Sequence, residues 1–132
     1  MIFGIGQDVV EIERVAGALA RHGERFATRV LGPHELAVYH MRRRRSARRG
    51  LAFLATRFAA KEAISKAVGL GMRSPMSWRA VEIVNEPGGR PYAVANGPFA
   101  AFLEGKRLRL HVSVADTENL AVAHAVAETL DG

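Results

Sequence analysis

The chain has 132 residues, 48% apolar and 24% charged, which fits one ordinary globular domain with a modest core. Nineteen Lys and Arg against 13 Asp and Glu leave a net charge of +6, so an acidic partner is expected: nucleic acid, anionic lipid, a phosphorylated ligand or an acidic protein. With no cysteine, disulfides, thiolate nucleophiles and thiolate metal sites are excluded.

The opening apolar run is short, lacks a basic leader and meets Asp8 and Glu11 almost at once, which is not a signal-peptide pattern. No apolar stretch approaches the roughly 20 residues that span a bilayer. A cytoplasmic protein without a membrane partner is expected.

In chain order, Ile2-Phe3-Gly4-Ile5-Gly6 reads as a short strand whose glycines permit close backbone approach. Ile12, Val15, Ala16, Leu19 and Ala20 recur at helical spacing, and Gly23 is a stop. Gly32-Pro33 starts a helix with Pro33 at its first position, where Glu35 suits the dipole. Arg42, Arg43, Arg44, Arg45, Arg48 and Arg49 form a basic run read as a solvated connector. From about Ser46 to Gly69 the pattern is helical and alanine-rich, with Gly50 as a weak point.

Trp78 to Val84 reads as a strand, followed by turn residues 85–89 and a returning strand from Pro91 to Ala95. Asn96-Gly97-Pro98 opens a short helix to about Gly105. Leu108, Leu110, Val112 and Val114 alternate with Arg109, His111, Ser113 and Ala115, the pattern of a half-buried strand. Leu120 to Ala127 is the last strand. A strand, then helices, then mostly strands predicts an α+β fold, a single small domain over 1–132.

The candidate chemistry lies in Arg57–Gly69 and at Asp8. Glu62 and Lys66 are four residues apart, so a helix sets them side by side, with Ala60, Ala63, Ile64, Ala67 and Val68 on roughly the opposite, packing face. Asp8 and Glu62 are too few for a closed metal site. They suffice for magnesium, which keeps its waters and is often held by one or two carboxylates plus substrate phosphates. Alternatively, Asp8 caps a turn and Glu62 simply pairs with Lys66 in water. Lys66 suits a phosphate as a mobile point charge, and His111 and Ser113 on a polar strand face could hydrogen-bond one.

Arg14 and Arg21 lie seven apart on one helix face, with Arg25 just beyond its end, an arrangement able to dock an acidic helix. The arginine run has no interleaved aromatics to stack bases, which argues against a nucleic-acid partner.

Four segments, in order, resemble the bacterial holo-acyl-carrier-protein synthases, a family of 4′-phosphopantetheinyl transferases. They are Gly4-Ile5-Gly6-Gln7-Asp8-Val9-Val10-Glu11-Ile12-Glu13-Arg14, the helix from Arg57 to Gly69, Gly89-Arg90-Pro91, and His111-Val112-Ser113-Val114. The second is specific in itself, and the resemblance covers essentially the whole chain.

The resemblance implies an antiparallel sheet packed on a long central helix. It also implies an enzyme that moves phosphopantetheine from coenzyme A to a serine of apo acyl carrier protein, leaving adenosine 3′,5′-bisphosphate and serving fatty acid biosynthesis. By position, Asp8 and Glu62 would hold Mg2+ with the coenzyme A diphosphate, and Lys66 would contact the same phosphates as the third catalytic residue. Ser65 and Gly69 would line that groove. Arg90, Pro91 and His111 would help form the nucleotide pocket, and Arg14, Arg21 and Arg25 would receive the acidic carrier protein. A homotrimer with active sites between subunits is implied too. Two positions depart from the family pattern: Ala115-Asp116 stands where many members carry Ser-His, and Leu70 where Thr is common.

Overall fold

Helix α4 (Ala47–Ala67) is buried at 13 of its 21 positions and is the central element of the fold. A computed structural model describes residues 1–130. The other elements are β1 (Ile2–Glu11), α1 (Ile12–His22), α2 (Glu24–Val30), α3 (Pro33–Arg45), a 3₁₀ turn (Trp78–Ala80), β2 (Val81–Asn85), β3 (Pro91–Ala95), α5 (Gly97–Gly105), β4 (Leu108–Asp116) and β5 (Leu120–Thr129). An antiparallel sheet, ordered β1-β5-β4, covers one side of α4, and β2 and β3 form a separate hairpin.

The sheet lies close to the helix because small residues meet there. Ala59, Ala60, Ala63 and Ala67 of α4 belong to one core cluster with Ala123, Ala125 and Ala127 of β5. On β1, a Cβ at Gly4 or Gly6 would run into the carbonyls of Ala67 and Ala63. These glycines therefore set the spacing between strand and helix. A second cluster, from Ile12 and Val15 through Tyr39, Phe53 and Leu54, joins α1–α3 to the first half of α4. The expected packing face of α4 is thus too narrow. Only Leu51, Ala52, Phe58, Glu62, Lys66 and the N-terminal turn escape full burial.

A buried ion pair locks this arrangement. Lys61 and Glu35 are both fully buried and meet at 2.6 Å. Lys61 Nζ also donates to the Val30 carbonyl, while Glu35 accepts from the backbone N–H of Gly32 (2.9 Å) and of Ile83 (2.7 Å). One carboxylate thereby caps α3 and ties α3, α4 and β2 together. Burial pushes the Lys61 ammonium below the usual lysine range, and the Glu35 charge opposes that shift.

Several expectations need correction. The arginine run is no connector: Arg42–Arg45 form the last turn of α3, where cations offset the helix dipole, and Arg48 and Arg49 lie in the first turn of α4. The break is Ser46, whose Oγ accepts from Arg49 N–H at 3.3 Å. Gly50 is a buried close approach rather than a weak point, since a Cβ there would press on Arg43. Residues 24–30 form a helix too short to show a period, and Gly23, at φ 61°, separates it from α1. Trp78–Ala80 is a 3₁₀ turn instead of the start of a strand. The carbonyls of Arg79 and Ala80 accept from Asn96, and Trp78 stacks on Phe58 with ring centroids 4.7 Å apart.

Candidate active site

Side chains alternate along a strand, so Gly4, Gly6 and Asp8 share one face of β1. The two glycines press on Ala67 and Ala63, and Asp8 then arrives beside the exposed stripe of α4. That stripe is Phe58, Glu62 and Lys66, spaced by four. Lys66 Nζ donates to Asp8 Oδ1 at 3.2 Å and to the Gln7 carbonyl at 2.9 Å, so among the described residues it ion-pairs with Asp8 and not with the Glu62 one helical turn away. Residues 58 positions apart in the chain thus meet.

Asp8 and Glu62 line one cleft of about 530 Å³ together with Glu13, Arg14, Arg21, Phe26 and Phe58. Arg14 and Arg21 form its cationic wall, and the Arg21 guanidinium lies within 3.3 Å of where a Cβ on Gly17 would sit. Burial and the neighbouring Asp8 charge push the Glu62 carboxyl above the usual carboxylate range, opposed by Lys66. Two carboxylates whose charges disfavour each other fit a cation shared between them. No group of three or more His, Cys, Asp or Glu able to hold a metal occurs among the described residues, so a cation held here would keep open positions for other ligands.

The remaining expected site residues lie elsewhere. Ser65 is buried, its Oγ donating to the Glu62 carbonyl at 2.6 Å, and its own carbonyl accepts from Leu70 and Gly71 in the turn that ends α4. Gly69 holds that turn at φ 80°. Arg25 lines a different cleft with Phe26, Arg29 and Arg79. Arg90 is exposed in the β2–β3 turn, and Pro91 borders a third cleft with Arg42, Arg49, Arg57, Asn85 and Asp116. His111 is exposed on β4, where Nε2 meets Glu128 Oε1 at 2.9 Å and the imidazole holds that carboxyl below its usual range.

Sequence reasoning assigned no role to Glu13, Phe26, Phe58 or Arg57. Phe58 was legible as the i−4 neighbour of Glu62. Arg57 is buried under the Phe53 ring at 4.1 Å and donates to the Ile83 carbonyl (3.3 Å) and Asn85 Oδ1 (3.2 Å). Burial lowers its guanidinium to about 10.

The sequence model of the 4′-phosphopantetheinyl transferase superfamily matches residues 4–125. The chain belongs to that superfamily. The holo-[acyl-carrier-protein] synthase of Cupriavidus taiwanensis is 59% identical over 128 residues, covering 97% of this chain and 91% of that one. The crystal structure of the Neisseria meningitidis holo-[acyl-carrier-protein] synthase superposes with a TM-score of 0.90 at 36% identity, covering 98% and 100% of the two chains. The Bacillus anthracis enzyme, in complex with CoA (3′,5′-ADP), gives 0.82 at 32% identity and covers 98% of each. The expected α+β fold, an antiparallel sheet on a long central helix, is borne out, and the transferase is an enzyme of the holo-acyl-carrier-protein synthase type.

Proposed function

We propose that this transferase moves the 4′-phosphopantetheine of coenzyme A onto a serine of apo acyl carrier protein, leaving adenosine 3′,5′-bisphosphate, with Mg2+, in the cytoplasm and in the service of fatty acid biosynthesis. The observation that carries this reading is the meeting of Asp8 and Glu62 at one cleft walled by Arg14 and Arg21, with Lys66 hydrogen-bonded to Asp8. In the reaction the serine Oγ bonds to the β-phosphorus and loses its proton to solvent. The bond from that phosphorus to the bridging oxygen breaks, and the electron pair leaves with the nucleotide. Asp8 and Glu62 would hold Mg2+, which when bound neutralises the diphosphate and orients it for in-line displacement.

Lys66, half-exposed beside Asp8, binds a phosphate oxygen and offsets charge that builds up as the bond breaks. Arg14 and Arg21 receive acidic groups of the carrier protein beside its serine. Ser65 and Gly69 shape the end of α4 under the groove rather than offering a free hydroxyl.

The nucleotide end belongs to a second subunit of a homotrimer. Two features support this. Arg90, Pro91 and His111 lie outside the Asp8–Glu62 cleft of their own chain. The outer face of β1 leaves Phe3, Ile5 and Val9 at 45%, 72% and 56% exposure, an apolar surface suited to a subunit contact. Among the described residues no helix is long and apolar enough to cross a membrane.

The test is intact mass of apo acyl carrier protein after incubation with this protein, coenzyme A and Mg2+, beside a sample in chelator. A gain of about 340 Da, by simple covalent bookkeeping, seen only with metal, is expected. No gain on several folded apo carriers would sink the proposal.

A further inference from the structure

The β2–β3 hairpin stands outside the main sheet, and β2 has no strand on its other side among the described residues. Two strands alone are marginal, so the position of the hairpin comes from what grips it. At Ile83 both backbone groups are taken by charged side chains. The N–H donates to Glu35 Oε2 at 2.7 Å, and the carbonyl accepts from Arg57 Nε at 3.3 Å. Two residues on, Asn85 Oδ1 accepts from Arg57 Nη2 at 3.2 Å. Arg57 of α4 thus holds β2 at two points, one of them its last residue.

Arg57 is itself fixed from its own helix. Its guanidinium lies over the Phe53 ring, one turn back, at 4.1 Å, and Nη1 donates to Thr56 Oγ1 at 3.2 Å. The side chain is buried and has no ion pair among the described residues. An unpaired buried cation is costly, and an apolar side chain would pack here more favourably. What the guanidinium adds is direction: a planar fork on a rigid helix fixes the strand end more closely than packing does.

The grip extends to the turn. Asn85 stands opposite Pro91 in the hairpin register. Between them the Glu86 N–H donates to the Arg90 carbonyl (2.9 Å) and the Gly89 N–H to the Glu86 carbonyl (2.7 Å). A turn so closed moves with Asn85 as one piece. Arg57 and Pro91 also border one cleft, but a donor on each of the three guanidinium nitrogens is already engaged within the fold.

We infer that Arg57 is a positioning residue: through Ile83 and Asn85 it sets where the β2–β3 turn presents Arg90 and Pro91, and so governs affinity for the nucleotide end of coenzyme A. The inference rests on the reading above that puts Arg90 and Pro91 at that end. Arg57 acts through the turn and not as a phosphate-binding charge of its own.

The experiment is steady-state transfer by Arg57→Lys, Asn85→Ala and the double variant, varying coenzyme A and carrier separately. Arg57→Lys keeps the charge and gives up the fork. It should raise the coenzyme A KM about fivefold or more, and Asn85→Ala about threefold, with the carrier KM and kcat within about twofold of the parent. The double variant should be no worse than Arg57→Lys alone, because both changes cut one connection. An Arg57→Lys variant with the parent KM would show that charge and not grip matters, and would overturn the inference. So would a parent KM in Asn85→Ala, effects that multiply in the double variant, or an equal loss for both substrates. Should Arg57→Lys fail to fold, Asn85→Ala decides. In each of these cases a parent that transfers leaves the transferase reading standing; a parent that transfers nothing sinks that reading and this inference with it.

Discussion

Gly6 of β1 rests on the carbonyl of Ala63 in α4 with no room for a methyl group between them. This contact places Asp8, two residues on, beside Lys66. Gly6→Ala should therefore force strand and helix apart. We expect a loss of about 2–4 kcal/mol, as for overpacked cores at the severe end, and a drop in transfer beyond what the unfolded fraction explains. Urea unfolding and kinetics on the folded fraction check this. Gly17→Ala, whose nearest obstacle is the mobile end of Arg21, is the control and should stay within about 1 kcal/mol.

Glu62 makes a pH prediction. Burial and Asp8 raise its proton affinity in the folded state. Below the ordinary carboxylate value both folded and unfolded states are protonated there, and the folded state keeps its full advantage. As pH rises from that value through the higher folded one, the unfolded state releases its proton first and stability falls. In chelator, thermal melts between pH 4 and 7 should show this loss in the parent and a flatter profile in Glu62→Gln. Mg2+ should restore the parent by mass action and leave Glu62→Gln unmoved. Transfer by Glu62→Gln should drop by about 100-fold or more. A variant that transfers normally would refute the metal assignment.

The buried pair gives a stability prediction. Lys61→Met leaves the Glu35 carboxylate with two backbone donors and no counter-charge, at a cost of about 3–5 kcal/mol. Adding Glu35→Gln removes the orphaned charge and should recover about 1–2 kcal/mol. Chemical denaturation of the three variants measures it. A double variant as weak as the sum of the two singles would show that the two residues do not act as a pair.

Much of this was legible in the sequence, and the gaps have physical causes. β4 announced itself through strict alternation, and Glu62 and Lys66 through helical spacing. The Asp8–Lys66 meeting did not, because no local pattern encodes a contact between positions 8 and 66; the two glycines that bring it about read only as permissive. Helix α2 is seven residues long, below the length at which a period can be seen. Lys61 drew no assignment from the sequence, since its partner Glu35 sits on another helix. The Trp78–Ala80 turn was hidden because aromatic and β-branched residues beside it mimic a strand, while Asn96, which holds its carbonyls, lies far along the chain.

Assembly is testable from the outer face of β1. Ile5 and Val9 point away from α4, one on each side of Gln7, and are opposite Val126 and Val122 of β5 in the sheet register. An isolated chain would leave this apolar ridge in water. Placing charge there, as Ile5→Asp with Val9→Asp, should leave the monomer fold intact because neither side chain is buried in it. The same change should dissociate the assembly, since an unpaired carboxylate in a dry interface is strongly disfavoured. Sedimentation should then shift from a trimer to a monomer. Transfer should fall with it, because in the proposed trimer Arg90 and Pro91 complete the cleft of a neighbour. A parent protein that sediments as a stable monomer, yet transfers, would rule out the two-chain site.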